Sequence, residues 1–421
     1  MSFPRYPSYK DSGVEWLGAV PAHWEICALK RIVSMQSGES ITGESIADSG
    51  EYPVFGGNGM RGYTAAYTHE GDYVLIGRQG ALCGNINYGA GRFWASEHAV
   101  VVTPLRDVKV TWLGELLKAM NLNQYSVAAA QPGLSVDLVG RNAICLPPLA
   151  EQTQIAAFLD RETAKIDALV AEQRRLMELL KEKRQAVISH AVTKGLNPNA
   201  PMKSSGIEWL GDVPEHWEVK RLRDVATLNP SKSEIARLER ESFVSFLPMS
   251  AIGEDGSLNL DSEKTVGELE NGYTFFRNGD VTIAKITPCY ENGKGALMQG
   301  LTQGVGFGTT ELIVVRPRQE ESCGEFLHFL FVSTVFRNIG ESHMYGAGGQ
   351  KRVPDDFVRN FATGFPPAPE QAAIAAHLDA ALVRFDTLTA EAQNAIDLLQ
   401  ERRTALISAA VTGQIDVRHL A

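Results

Sequence analysis

Two glycine-rich turns in the first third of this 421-residue chain carry amide, cationic and aromatic side chains. One turn contributes Asn58, Arg61 and Tyr63. The other places Arg78 and Gln79 directly after a short apolar run. In the major groove, arginine and lysine pair with guanine, and asparagine and glutamine pair with adenine, provided that the backbone holds them in a fixed geometry. We therefore predict that these five residues contact DNA.

A second set of residues with the same chemistry lies in the last third of the chain. These residues follow a predicted strand or belong to a second glycine-rich loop: Lys285, Thr287, Asn292, Lys294, Tyr345, Gln350, Lys351 and Arg352. Some contacts from both sets would be made to phosphates, which position a protein on DNA without reading its sequence. For any single residue a solvated surface loop is the alternative, whereas the loops taken together favour DNA contact.

Two glutamates admit two interpretations. Glu97 and Glu311 each stand before an apolar strand, at comparable places in the two halves of the chain. A glutamate can accept a hydrogen bond from the amino group of cytosine, or it can serve the fold. Both interpretations are open, and we favour the structural one.

No catalytic motif accompanies these residues. The chain has no GxxxxGK[ST] phosphate loop, no HExxH and no Asn/Asp-Pro-Pro-aromatic signature of an amino-methyltransferase. Residues 57–62 match GxGxxG, but no amphipathic helix follows them, so a dinucleotide site is not predicted. The histidines lack neighbours at metal-ligand spacing, and His23 and His216 recur with a repeated segment, so we expect them to be structural. We predict neither a catalytic residue nor a metal site.

The charge of the chain argues against a simple nucleic-acid-binding domain. Such domains are usually basic, whereas this chain has a net charge of −10. Its first 150 residues carry 11 lysines and arginines against 13 aspartates and glutamates. If phosphate neutralisation dominates affinity for DNA, most of the basic surface must come from another molecule.

The cysteines and the N-terminal segment indicate the cellular compartment of the protein. The five cysteines are far apart and form no CxxC pair, so neither a zinc site nor a disulfide framework is indicated. The first residues, MSFPRYPSYK, contain no apolar run like that of a signal peptide. We expect a cytoplasmic protein without a membrane partner.

An internal repeat supplies the elements that must position these loops. Residues 151–196 recur as residues 370–415, at an offset of 219 positions and with about half of the positions identical. Neither copy contains Pro or Gly before Gly195 and Gly413, and a Pro-Pro pair precedes each copy. Each copy is therefore predicted to be one helix of some 40 residues, roughly 60 Å long.

Apolar residues at alternating spacings of four and three give each predicted helix one stripe, as in coiled coils. The expected stripe includes Leu169 and Leu176 in the first copy and Leu388 in the second. A helix with one apolar stripe needs a partner, and the two copies match each other. We expect them to pair antiparallel within the chain; packing of each helix on its own head, or homo-oligomerisation, is the alternative.

The predicted fold is therefore α+β, with a pseudo-two-fold internal repeat. Two globular heads of mixed α/β structure are separated by two long helices that form an antiparallel coiled coil. The predicted boundaries are 1–150 for the first head, 151–196 for the central helix, 197–369 for the second head and 370–421 for the C-terminal helix.

Over nearly its whole length the chain resembles the specificity subunits of type I restriction-modification systems. The resemblance is carried by the repeated segments Trp16-Leu17-Gly18 to His23-Trp24 and Trp209-Leu210-Gly211 to His216-Trp217, by Glu151-Gln152 and Glu370-Gln371 after the Pro-Pro pairs, and by residues 76–85, 94–98, 291–295 and 306–311. It implies that the heads are target-recognition domains, which read double-stranded DNA at a split, asymmetric site, and that the chain has no active site of its own.

The resemblance also implies partners. Two DNA methyltransferase subunits would dock on the chain and modify adenines, and restriction subunits with helicase and nuclease activity would cut unmodified DNA. S-adenosylmethionine, ATP and Mg²⁺ would belong to those partners, with no cofactor in this chain. A coiled-coil scaffold whose heads bind proteins or glycans is the alternative function.

Overall fold

The computed structural model describes residues 3–80, 82–126, 133–347 and 349–420. The chain forms two compact units. The first unit combines Met1–Arg174 with Gln393–Ala421, and the second comprises Arg175–Ala392. Each unit therefore contains one head and a part of each long helix.

Short strands dominate the described residues of the first unit. The strands are β1 (Tyr9–Asp11), β2 (Ala19–Pro21), β3 (Glu25–Ala28), β4 (Val33–Ser37), β5 (Tyr52–Gly56), β6 (Gly59–Thr64), β7 (His69–Glu70), β8 (Tyr73–Gly77), β9 (Ile86–Gly89), β10 (Arg92–Ala95), β11 (Ala99–Pro104) and β12 (Ala143–Leu146). The helices are α1 (Val110–Ala119), α2 (Val136–Arg141) and the first part of α3 (Leu149–Lys194).

Two four-stranded sheets form the body of the first head, in the orders β6-β5-β10-β7 and β4-β11-β8-β9. Strand β11 is antiparallel to both of its neighbours, so that Val100 pairs with Ser37 and with Ile76. Strands β5 and β10 are parallel. The apolar residues of β8 and β11 are buried because both strands are central in their sheet.

The second unit has a matching set of elements among its described residues. Its strands are β13 (Met202–Ser204), β14 (Asp212–Pro214), β15 (Glu218–Arg221), β16 (Ala226–Leu228), β17 (Phe243–Leu247), β18 (Glu263–Thr265), β19 (Thr274–Arg277), β20 (Val281–Ala284), β21 (Gly295–Leu297), β22 (Val305–Gly308), β23 (Leu312–Pro317) and β24 (Ala362–Phe365). Its helices are α4 (Leu222–Val225), α5 (Val266–Leu269), α6 (Gly324–Val332), α7 (Thr334–Ser342), α8 (Asp355–Asn360) and the first part of α9 (Ala368–Val411).

The sheets of the second head repeat the topology of the first. Their orders are β18-β17-β22-β19 and β16-β23-β20-β21, and β17 and β22 are parallel, as β5 and β10 are. The pairs β13-β14 and β15-β24 correspond to β1-β2 and β3-β12. The sequences of the heads have diverged while the pattern of backbone hydrogen bonds is kept, which confirms the predicted α+β fold with an internal repeat.

The long helices pack antiparallel, as predicted. In the second unit, Arg184 of α3 forms an ion pair with Asp386 of α9, while Ile188, farther along α3, shares one apolar cluster with Leu378, which lies earlier in α9. In the first unit, Nε of Arg403 in α9 donates to Oδ1 of Asp167 in α3 at 3.1 Å.

The buried stripe of each long helix differs from the predicted one. Leu169 is 52% exposed and its neighbour Val170 is buried in its place, and Leu176 and Leu388 are also exposed. The prediction was wrong at these positions because adjacent apolar residues can both continue the stripe, one three and the other four residues after the preceding stripe residue. A helix of 3.6 residues per turn also drifts against a strict 3.5-residue repeat.

A glutamate at the start of each long helix, buried in the first copy and half-buried in the second, explains one repeated motif. In the first unit, Glu151 accepts hydrogen bonds from Nε1 of Trp24 at 2.9 Å and from the hydroxyl of Tyr6 at 3.2 Å, and lies 2.6 Å from Nε2 of His23. In the second unit, Nε1 of Trp217 and Nε2 of His216 contact Glu370 at 3.1 and 2.6 Å. The repeated His-Trp pair therefore joins each head to a helix start.

The glutamine after each of these glutamates closes the same junction. Gln152 accepts from the backbone N–H of Lys109 at 2.9 Å and donates to the carbonyl of Pro147 at 2.9 Å. Gln371 accepts from the N–H of Cys323 at 3.1 Å and donates to the carbonyl of Pro366 at 2.9 Å. Because an amide both donates and accepts, one side chain satisfies two otherwise unpaired backbone groups.

The segment after α9 packs on the N-terminal segment of the first unit. Gly413 lies so close to Pro21 that a Cβ would come within 2.3 Å of its Cδ. The N–H of Asp416 donates to the carbonyl of Pro4 at 2.8 Å, and the guanidinium of Arg418 lies 4.9 Å from the ring centre of Tyr6. Both ends of the described chain therefore belong to the first unit.

Among the described residues, no helix combines the length and the apolar character that a membrane crossing requires. Within the same part of the chain, His, Cys, Asp and Glu side chains form no group of three or more placed to hold a metal ion. The five cysteines are free thiols, and Cys27, Cys83 and Cys145 are buried.

Candidate nucleic-acid interface

In the first head, glycines allow two of the predicted loops to touch. One loop follows β5 and begins at Gly57, and the other follows Gly77 at the end of β8. A Cβ on Gly77 would lie 2.3 Å from the carbonyl oxygen of Gly57, so any larger residue would push the loops apart. The two glycines thus set the distance between Asn58 on one loop and Gln79 on the other.

An open groove of about 480 Å³ lies between these loops. It is lined by Gly57, Asn58, Arg61, Gln79, Gly80, Leu82 and His98. Three of the five residues predicted in this head, Asn58, Arg61 and Gln79, therefore line one cleft. The Arg61 side chain lies across Gly56, where a Cβ would come within 2.5 Å of its Cδ. Arg61 has no ion-pair partner among the described residues.

The other two residues predicted in this head do not line the groove. Tyr63 lies farther along β6, half-buried, where its backbone bridges Ala47. Arg78 is exposed directly after β8; its N–H donates to the carbonyl of His98 at 2.9 Å, and its carbonyl accepts from the N–H of Leu134 at 2.9 Å. Tyr63 therefore lies beyond the first loop, and Arg78 begins the second loop without lining the groove.

In the second head, a carboxylate holds Arg352. Its Nη2 lies 2.8 Å from Oε1 of Glu311 and its Nε lies 3.0 Å from Oε2, the two-pronged geometry of a strong ion pair. Hydrogen bonding to Arg352 lowers the pKa of Glu311, and the same bond raises the pKa of Arg352 further above its ordinary value. Glu311 therefore ties the loop that ends at Arg352 to the sheet.

Lys285 and Thr287 lie between β20 and that loop. The N–H of Lys285 donates to the carbonyl of Glu311 at 2.9 Å, and the charge of Lys285 contributes to the lowered pKa of that carboxyl. The hydroxyl of Thr287 donates to Oε1 of Glu291 at 2.9 Å. Lys285 and Arg352 thus act on one carboxylate, and the Thr287 hydroxyl is bonded within the head.

Asn292 and Lys294 hold a neighbouring loop. Nδ2 of Asn292 donates to Oε1 of Glu254 at 2.7 Å, and Nζ of Lys294 donates to the carbonyl of Met249 at 3.2 Å. Both acceptors lie between β17 and β18. These two side chains therefore connect the loop after β20 with the loop after β17.

The remaining predicted residues stand at an exposed loop. Tyr345, Gln350 and Lys351 are exposed, Tyr345 to 66%. The backbones of Tyr345 and Arg352 exchange two hydrogen bonds of 3.1 and 2.9 Å, which close the loop. Gly348 of this loop lies outside the described residues. Within the described part of the chain, the side chains of Tyr345, Gln350 and Lys351 make no hydrogen bond, so they present their polar groups to solvent.

Backbone hydrogen bonds align the two sites. The N–H of Arg78 donates to the carbonyl of His98, and the N–H of Lys285 donates in the same way to that of Glu311. The counterpart of Glu311 is therefore His98 and not Glu97, since the sequence comparison was displaced by one residue. Glu97 instead lies beside His98, with Oε1 at 3.3 Å from Nε2.

Three residues near the groove were not predicted as DNA contacts. Leu82, which is 51% exposed, and His98 line the groove, and Nδ2 of Asn85 donates to Oδ1 of Asn58 at 3.1 Å. A local signal exists for Asn85, because it follows Gly84 at the end of a glycine-rich loop. No local pattern marks His98, whose place depends on the pairing of β11 with β8.

A known family has this organisation. The family model described as the type I restriction modification DNA specificity domain matches residues 21–177 and 214–398. The two matches cover most of the chain, one in each half. The chain belongs to this family.

Relatives of the chain include specificity subunits from Escherichia coli. The chain is 38% identical over 205 residues to the type I restriction enzyme EcoEI specificity subunit, a match that covers 48% of this chain and 34% of the relative. The matched region spans about a third of the length of the EcoEI, EcoAI and EcoprrI specificity subunits. The EcoDI specificity subunit is 20% identical over 422 residues, covering 94% of this chain and 90% of the relative.

Solved structures share the fold. A chain from a study of complex assembly and conformational transition of the type I restriction-modification system is 16% identical, with a TM-score of 0.62, and the match covers 93% of this chain and 98% of that one. The HsdS subunit from Thermoanaerobacter tengcongensis is also 16% identical, with a TM-score of 0.52 and coverage of 94% and 98%. At such identities the likeness establishes the fold alone.

Proposed function

We propose that the chain is the DNA-reading subunit of a type I restriction-modification complex, in which each head reads one half of a bipartite, asymmetric site. The observation that carries the proposal is that two heads with the same strand topology present different polar side chains from exposed loops. The first head offers Asn58, Arg61 and Gln79, and the second offers Gln350 and Lys351. Different side chains in the two heads would select different bases.

In this proposal the chain has no catalytic role. Methyltransferase subunits would bind S-adenosylmethionine and modify adenine, and restriction subunits would use ATP and Mg²⁺. The net charge of −10 supports a dependence on such partners, because the chain has no surplus of cations to neutralise phosphates. The isolated chain is expected to bind random duplex DNA weakly at physiological salt.

Exposed leucines of the long helices support docking of two identical subunits. Leu169 of α3 and Leu388 of α9 occupy equivalent positions of the repeat and are 52% and 45% exposed. Leu179 and Leu398 form a second equivalent pair, 52% and 65% exposed. Large apolar side chains exposed at equivalent positions of both helices are candidates for a protein interface. Because the repeat presents them twice, the helices would bind two copies of one partner, the methyltransferase subunit.

The long helices would also set the gap between the half-sites. Four residues inserted into one long helix add about 6 Å, close to two base-pair rises, and rotate the part beyond by about 40°. Such an insertion is expected to change the length of the unread gap and to leave both half-sites intact. Exchange of residues 38–145 for those of another family member is expected to replace one half-site only.

Sequencing of methylated adenines tests these expectations in cells that express each variant with its methyltransferase partner. A changed gap in the insertion variant and a single changed half-site in the exchange variant would support DNA reading. Altered half-sites with an unchanged gap would contradict the role of the helices. A methylation pattern that responds to neither change would favour heads that bind proteins or glycans.

A further inference from the structure

We propose that Asn85 is a positioning residue that fixes the orientation of the Asn58 amide, and thereby the kind of base that the first head accepts at one position. This role rests on the proposed DNA-reading function of that head. It is carried by the hydrogen bond from Nδ2 of Asn85 to Oδ1 of Asn58, 3.1 Å long. Both side chains are exposed, so DNA could reach the amide that the bond orients.

The backbone of Asn85 is held from two sides. Its N–H donates to the carbonyl of Leu82 at 3.0 Å, and its carbonyl accepts from the N–H of Gly77 at 2.8 Å. Asn58 lies in the tight turn between β5 and β6. The last torsion of an asparagine side chain is soft, so a neighbouring donor decides which way its amide faces. Asn85 supplies that donor.

The equivalent position of the second head also bonds to the neighbouring loop, through a backbone carbonyl. The last residues of β8 and β20 donate their N–H groups to the carbonyls of Asn85 and Lys294, respectively, both at 2.8 Å. Lys294 is therefore the counterpart of Asn85. Its Nζ donates to the carbonyl of Met249 in the loop after β17, which corresponds to the loop after β5 that contains Asn58. In both heads this position tethers the same neighbouring loop.

A fixed amide has a defined donor side. Because Asn85 donates to Oδ1 of Asn58, which lines the groove, we infer that Nδ2 of Asn58 is the group left to donate to a base. There it can donate to guanine, to thymine or to N7 of adenine, whereas the major-groove edge of cytosine offers an amino donor. The first head therefore disfavours cytosine at this position.

Two aspartate substitutions test this orientation because their effects converge. In Asn85→Asp the carboxylate can only accept, so the Asn58 amide must turn and present its oxygen to the groove. In Asn58→Asp, Asn85 still donates to one carboxylate oxygen and the other faces the groove. Both variants are expected to shift the same base position towards cytosine or adenine, by about tenfold relative to the unmodified chain. The measurement sequences the members of a random duplex DNA library that the full-length chain retains at low ionic strength.

Asn85→Ala is the control, because it removes the tether without adding a charge. It is expected to broaden the base preference at that position without reversing it. Shifts at different positions in the two aspartate variants would show that Asn85 reads a base directly, which overturns the proposal. An unchanged preference in Asn85→Asp beside a changed one in Asn58→Asp would overturn it as well.

Variants at Arg61 and Gln79 separate this inference from the proposed function. If Arg61→Ala or Gln79→Ala alters the retained sequences while Asn85→Asp does not, the head reads DNA and only the role of Asn85 is refuted. If neither alters them, DNA reading through this groove is refuted, and the role of Asn85 with it.

Discussion

The two heads share a backbone pattern and differ in how their cations are balanced. Directly before β11 the first head has His98, and at the same place before β23 the second head has Glu311. Glu311 binds Arg352 through paired hydrogen bonds, whereas Arg61 in the first head has no ion-pair partner among the described residues. The pairing of the strands therefore determines where a cationic side chain lies. The neighbouring side chain determines whether the charge of that cation is available to contact DNA.

The junctions between heads and helices differ in burial. Glu151 accepts hydrogen bonds from three residues and its side chain is 10% exposed, whereas Glu370 bonds to two and is 32% exposed. Burial raises the pKa of Tyr6, and the charge of Glu151 adds to the rise, so the third donor keeps its proton. The first junction is thus the more completely closed of the two.

Removal of the two glutamates is expected to give the largest effects. Glu151→Ala leaves the buried Trp24 N–H and the Tyr6 hydroxyl without an acceptor, which is expected to cost about 3 kcal/mol in the free energy of unfolding. Glu370→Ala opens a site that water already reaches, and is expected to cost about 1 kcal/mol. Hydrogen exchange followed by mass spectrometry reports each unit separately. Equal losses of unfolding free energy in both units would show that the two junctions do not differ.

A half-buried histidine in each head has a lowered pKa. Burial lowers the pKa of His69 in the first head and lowers that of His328 in the second to about 4. Because an unfolded histidine titrates near 6.5, the unfolded chain takes up this proton first as the pH falls. The contribution of His328 to stability is therefore complete above about pH 6.5 and is lost as the pH falls towards 4, by about 2 kcal/mol at pH 5.

Urea denaturation at pH 7 and at pH 5 measures this loss. His328→Gln cannot titrate in this range and is expected to remove most of the pH dependence of the second unit. An unchanged pH dependence in that variant would show that other groups cause it.

The salt dependence of DNA binding tests whether the ion pair of Arg352 makes this residue differ from Arg61. Arg61→Ala is expected to weaken binding about tenfold and to reduce the slope of log K against log salt by about one, because an unpaired cation releases a counterion from DNA. Arg352→Ala is expected to change the slope less, since Glu311 already balances its charge. Fluorescence anisotropy at several salt concentrations, with the chain bound to the methyltransferase subunits of the proposed complex, gives both slopes. Equal changes of the slope in Arg61→Ala and Arg352→Ala would show that the ion pair does not restrain Arg352.

Glu311→Gln is expected to have the smallest effect. It releases Arg352 and removes one negative charge, so binding to random DNA should tighten by about two- to threefold at low salt. The bond to Arg352 lowers the pKa of Glu311, so the ion pair is present at neutral pH and is lost only as the pH falls through that lowered value. Glu97→Gln in the first head is the matched control and should change binding less. Equal effects in the two variants would argue against a special role of Arg352.

The scaffold could be predicted from the sequence because its determinants are local and occur twice. A Pro-Pro pair followed by Glu and Gln marks each helix start, and Gln152 bonds to Pro147 of that pair. The bond between Glu151 and Trp24 joins positions 127 residues apart and is not local. The choice between Leu169 and Val170 for the buried stripe could not be predicted, since both are apolar and only the packing selects one.

The site could be predicted only in part. Residue type and glycine-rich context brought out Asn58, Arg61 and Gln79, which the fold places around one groove. Residue type alone also brought out Arg352, but its bond to Glu311 joins positions 41 residues apart and leaves no local pattern. Whether a cation in a loop is free to contact DNA depends on ion-pair partners that are distant in sequence. The spacing of residues does not reveal such partners.

The composition of the first unit has a consequence for synthesis on the ribosome. The first head emerges early, yet Arg403, whose side chain pairs with Asp167, and Asp416, which bonds to Pro4, are translated about 200 residues later. At about 5–20 residues per second this delay lasts about 10–40 s. All of Arg175–Ala392 is translated within that interval. The first head is therefore synthesised first, but its last contacts can form only after the second unit has been translated.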